Sequence, residues 1–179
     1  MPGTLAPGQM YDHECNVLKG YWDLEGAVTK HAELAADETI LAGSLFYLDA
    51  NGKARSGSPD NTVAIFANQN STDFDVSADV GNIQTAVMAG FPCISNFELQ
   101  TTEFDTTQTY APNDHLTGWS STMAGYTTAL KGKIGIGVPY TDTLCGVVTE
   151  GATANDHGKN VVSLWTYYLP IAPTTPVSE

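Results

Sequence analysis

Short apolar runs alternate with turn-forming residues from Leu41 to Pro170, and this punctuation constrains the fold more than any other property of the chain. LAGSLFYL (Leu41 to Leu48) runs into DANG (Asp49 to Gly52), and KIGIGV (Lys133 to Val138) runs into Pro139. VVSLWTYYL (Val161 to Leu169) stops at Pro170. Runs this short, bounded by Gly, Pro, Asn and Asp, read as strands, and a series of them reads as an all-β domain. No constellation of reactive side chains interrupts the series, so the chain is expected to work through its surface.

With 179 residues the chain can bury one real core, and 42% hydrophobic residues argue against disorder of the whole. Charge is sparse and one-sided: seven Lys and Arg against 20 Asp and Glu give a net charge of −13. Such a surface repels phosphate backbones and anionic bilayers, so neither nucleic acid nor membrane is an expected partner. The acidity suits a protein that stays soluble at high copy number, or one that docks on a basic partner. MPGTLAPGQM has no basic region followed by an apolar one, and no run approaches the ~18 apolar residues of a membrane span. Synthesis and folding in a cytoplasm are expected.

Cys15, Cys93 and Cys145 are an odd set at wide spacings without a CxxC, which argues against a disulfide framework or a thiolate metal site. Cys93 and Cys145 lie among apolar residues and read as small core groups.

Residues 1–38 read as an N-terminal arm, 39–170 as the β body, and 171–179 as a Pro-rich tail unable to continue a ladder. The arm carries Cys15, Val17, Leu18, Tyr21 and Trp22, which need a surface to cover them. Thr29 to Glu38 has helix-favouring composition, so a short helix and an extended arm are both open there. Leu45 with Tyr47, and Phe46 with Leu48, predict a strand buried on both faces. Asp49 to Gly52 predicts a hairpin turn. Val80 to Met88 reads equally as a helical turn or a loop. Phe97, Leu99 and Thr101 alternate with polar neighbours as in a half-exposed strand. Gly135 and Gly137, opposite Ile134, Ile136 and Val138, predict close approach of another element. Val161 to Leu169 is expected to be a central strand.

His13, His31, His115 and His157 are scattered, with no HxH or HExxH, and GxSxG and GxxxxGK[ST] are absent. Neither enzyme activity nor a metal or cofactor is expected. Asp73, Asp75 and Asp79 share a polar stretch that could hold calcium by composition, but without the spacing of a known calcium loop. Trp165, Tyr167 and Tyr168 sit in the most apolar run and are expected in the core.

The body resembles the small decoration, or cement, proteins of tailed-bacteriophage capsids. The resemblance rests on AGSLFYLDANGKA (Ala42 to Ala54), on ELQTTEFD with YAPNDHLT (Glu98 to Asp105, Tyr110 to Thr117), and on LCGVVTEG followed by VVSLWTYYLP (Leu144 to Gly151, Val161 to Pro170). It implies a β-barrel or β-sandwich body on the exterior of a virion capsid, bound to the major capsid protein. It further implies a homo-oligomer, a trimer ahead of a dimer, and no catalytic residues. Two other classes stay open. A carbohydrate- or receptor-binding module of a phage tail would expose Trp119 and Tyr126 together. A cupin-like enzyme would bring at least two histidines onto one metal.

Capsid-facing contacts are expected on the N-terminal segment, through Tyr11, Val17, Leu18, Tyr21 and Trp22 as anchors. Lys19 and Lys30 add a large share of the scarce positive charge. The tail has no aromatic residue, and little binding is expected from it.

Overall fold

Period-two apolar patterning becomes a layered β structure in the computed structural model of the chain, which describes residues 13–19, 32–68, 70–71, 87–88, 90–94 and 97–171. In chain order the strands are β1 (Cys15–Lys19), β2 (Ala32–Glu33), β3 (Leu45–Leu48), β4 (Ala54–Ser56), β5 (Ile65–Ala67) and β6 (Val87–Met88). They continue with β7 (Gly90–Pro92), β8 (Glu98–Thr101), β9 (His115–Gly118), β10 (Ile134–Ile136), β11 (Leu144–Ala154) and β12 (Asn160–Leu169). Among the described residues the only helical element is a 3-10 turn, Thr128–Leu130. The chain is all-β.

Six strands form one sheet in the order β1-β8-β12-β11-β9-β10, and four form a second in the order β4-β3-β5-β7. A two-stranded ribbon, β2-β6, adds a third layer. Among the described residues every pairing between these strands is antiparallel, while the single bridges Leu34↔Ala54 and Phe104↔Ile134 are parallel. The main core lies between the two larger sheets, where Leu45, Phe66 and Cys93 meet Leu99, Leu116, Ile134 and Leu164. A smaller core, Ala32, Ile40, Phe46, Ala54, Ile65 and Met88, involves the other face of the four-stranded sheet. β3 is buried on both faces only in its first half: Leu45 enters one core and Phe46 the other, whereas Tyr47 is half-buried and Leu48 is 38% exposed, because the strand runs out toward the Asp49–Gly52 turn.

Asp49 to Gly52 is the β3–β4 turn. The Asp49 carboxylate accepts the backbone N–H of Asn51 at 2.8 Å and of Lys53 at 3.1 Å, and Gly52 takes φ +75°. The Lys53 N–H, then the Arg55 guanidinium at 2.9 Å, hold this carboxyl below the usual aspartate range. β11 and β12 form the long hairpin, and β12 lies between β8 and β11 as the central strand expected. The glycines of β10 and its continuation do allow close approach. A Cβ on Gly137 would stand 2.7 Å from Leu144 Cδ2 and 2.9 Å from Thr117 Cβ.

Three expectations need correction or completion. The described part of Thr29 to Glu38 is extended over Ala32–Leu34 and then turns at Ala36–Asp37, because Ala32 and Glu33 pair with Met88 and Val87, and the Ala35 N–H donates to the Ala54 carbonyl at 3.0 Å. Tertiary pairing overrides a weak Ala-based helix preference. Val87–Met88 is strand for the same reason, while residues 80–86 lie outside the described residues. β8 is not half-exposed: with β1 on one side and β12 on the other, even Glu98 keeps only 9% exposure. Asp73, Asp75 and Asp79 lie outside the described residues.

Candidate functional site

The N-terminal segment contributes an outer strand of the six-stranded sheet. β1 pairs with β8 through Cys15↔Thr101, Val17↔Leu99 and Lys19↔Glu98, with the register shifting between Val17 and Lys19. A register irregularity of this kind is a device that blunts sheet edges against indiscriminate pairing. Cys15 and Val17 pack against the main core, and burial pushes the Cys15 thiol up to about 12. Leu18 is 43% exposed. Among the described residues no strand pairs with the far side of β1.

Two hydrogen-bonded clasps fix this strand. The His13 imidazole pairs with the buried Glu103 carboxylate. The Glu14 carboxylate accepts Asn155 Nδ2 at 2.8 Å and pairs with His157 Nδ1 at 3.2 Å, while the Glu14 N–H donates to Thr102 Oγ1 at 2.9 Å. Gly43 is part of the same seat. At φ +81°, its added Cβ would stand 2.4 Å from both the Glu14 carbonyl oxygen and Thr101 Oγ1. Residues 13–19 are thus tied to the six-stranded sheet.

Of the residues expected at a partner surface, Val17 faces the core and Leu18 is the exposed apolar anchor. Lys19 stands opposite Glu98 in the ladder. Tyr11, Tyr21, Trp22 and Lys30 lie outside the described residues. The described histidines do not converge: His13 meets Glu103, His157 meets Glu14, and His115 meets Tyr167. His31 lies outside the described residues.

The outward-facing aromatic residue that sequence reasoning misplaced is Trp165. It is 36% exposed, because β12 sends Leu164 and Thr166 inward and Trp165 outward. In the ladders Trp165 stands between Val147 of β11 and Glu98 of β8. Tyr167 and Tyr168 are half-buried rather than enclosed. The Tyr167 hydroxyl pairs with His115 Nδ1 at 2.6 Å, and burial pushes its pKa up to about 12. Strict alternation within SLWTYYL carried the signal for Trp165, masked by the apolar character of the whole run. Trp119 and Tyr126 do come together, as walls of one cleft.

No family model, curated protein or solved structure matches this chain. The fold defines the class: an antiparallel, all-β layered domain with an outer strand left unpaired on one side among the described residues.

Proposed function

We propose that this protein is a capsid decoration protein, a structural component that binds the outside of a phage head and reinforces it. The observation that supports the reading is the outer strand β1, held to the body by its clasps and carrying Leu18 in solvent. Edge strands bind through main-chain hydrogen bonds, and an exposed aliphatic anchor adds selectivity. A rigid all-β body and a net charge of −13 suit a protein crowded at high copy number on a shell. The major capsid protein is the proposed partner, and a homotrimer the proposed assembly.

Co-sedimentation with intact heads of the encoding phage tests the reading. Wild-type protein is expected to pellet with heads, and Leu18→Asp to remain in the supernatant while keeping its β spectrum. Removing residues 172–179 is expected to leave binding intact. Failure of wild-type protein to pellet, or equal binding by Leu18→Asp, would overturn the proposal. A monomer by light scattering at micromolar concentration would count against the trimer.

A further inference from the structure

Away from β1, a cleft of about 240 Å³ opens between the four-stranded sheet and the loop following β9. Tyr47, Trp119 and Tyr126 supply aromatic walls, and Ser56, Ser58 and Asp60 supply polar groups. Its floor is made possible by glycines. A Cβ on Gly118 would stand 2.3 Å from Ser58 Cβ, one on Gly132 (φ +79°) 3.0 Å from Ser56 Oγ, and one on Gly135 2.7 Å from Trp119 Nε1. Each glycine leaves room for one residue of the cleft to sit.

The two serines offer unused hydrogen-bonding groups to a ligand. Ser58 keeps 5% exposure and Ser56 8%, yet neither hydroxyl has a hydrogen-bond partner among the described residues. A mostly buried hydroxyl without a protein partner is left to bond water or a ligand in the cleft. Neither oxygen is among the described polar atoms sealed from solvent without a partner, so both reach the cleft. The charged groups at the rim are engaged. Lys131 Nζ is held by the Glu38 carboxylate at 2.9 and 3.2 Å, and Asp60 Oδ2 accepts the Thr122 hydroxyl at 3.0 Å.

This chemistry selects among ligand classes. An anion would meet a positive charge already neutralised and a protein of net charge −13. A purely apolar ligand would leave the serine hydroxyls unsatisfied. A sugar ring offers C–H faces to aromatic walls and hydroxyls that both donate and accept, matching serine. The volume lies below the about 300–1,000 Å³ of pockets for drug-sized ligands, which suits a single ring. We propose that this cleft binds one neutral sugar residue, packed against Trp119 and Tyr126 and hydrogen-bonded by Ser56, Ser58 and Asp60. The site is independent of the capsid-binding reading, because it shares no residue with β1.

The test is a nitrogen–proton NMR titration of the full chain with D-glucose, D-galactose, D-mannose and N-acetyl-D-glucosamine, with glycerol as control. The Trp119 indole signal, assigned through Trp119→Phe, is the reporter. At least one sugar is expected to shift it saturably with a ~1–10 mM dissociation constant, leaving the Trp165 signal in place. Ser58→Ala, which removes one oxygen, is expected to weaken binding about fivefold. Tyr126→Ala, at a half-exposed position, is expected to weaken it about tenfold or more. The proposal is overturned if no sugar shifts the signal, if glycerol shifts it equally, or if both variants bind as wild type does.

Discussion

The two cores solve different problems. The main core joins strands distant in sequence and uses large side chains, with Phe66, Leu99, Phe104, Leu116, Ile134 and Leu164 meeting in one cluster. The smaller core uses Ala32, Ala54 and Ala67 around Ile40, Phe46, Ile65 and Met88. Small side chains let the β2-β6 ribbon come close, but each buries little apolar area. The comparison teaches that the main core carries the fold, while the smaller one seals the second face of the four-stranded sheet.

The strongest challenge to this view is Leu164→Ala. Leu164 is fully buried in the main core, and its truncation should cost about 2–5 kcal/mol in urea unfolding. A loss below the cost of truncating Ile65 would reverse the ranking of the cores. Gly43→Ala probes the junction of the four-stranded sheet with β1 and β8. Its positive φ and the 2.4 Å approach to Glu14 and Thr101 predict a loss of about 1–3 kcal/mol. Ile65→Val in the smaller core should cost about 0.5–1.5 kcal/mol, read from the same denaturation midpoint.

Alkaline titration sharpens the comparison on the main-core side. Cys15 rises from 9.0 to about 12 and Tyr167 from 10.0 to about 12 on folding, both chiefly by burial. A raised folded pKa means that the unfolded chain loses its proton first. The stabilisation is complete below about pH 9 and is lost as pH rises toward 12. Urea midpoints should fall across that window, and Cys15→Ala should flatten its lower part. An unchanged pH slope in that variant would remove Cys15 from the account. The smallest stability change belongs to Leu18→Asp, within about 0.5 kcal/mol, although its expected effect on head binding is complete.

Much of this architecture was legible locally. The Asp49–Gly52 turn, the two-faced first half of β3 and the central β12 all follow from patterns within about ten residues. Less was visible where the deciding partner is remote. Composition at Ala32–Glu33 favours helix, and only Met88 and Val87 across the ribbon make it strand. Glu98 reads as solvent-facing until β1 covers the flank of β8. Trp165 was misplaced because a run of apolar residues hides which of its two faces is wet. In the cleft, Trp119 and Tyr126 were visible as neighbours, but Ser56 and Ser58 come from far upstream. Gly118, Gly132 and Gly135 held the available hint, each marking a spot where another residue comes to rest.

The clasp between Glu14 and Thr102 spans 88 positions along the chain. During synthesis β1 emerges long before β8 exists to receive it. The β11–β12 hairpin closes through a short connection, whereas the outer strand waits for the distant loop to close. Assembly of the sheet should therefore proceed from its centre outward, with β1 among the last strands to dock. Refolding should show a fast hairpin phase followed by slower protection of the β1 amides. Until that last step Cys15, Val17 and Leu18 remain available to neighbouring chains, so crowding during synthesis should favour exchange of this strand between molecules.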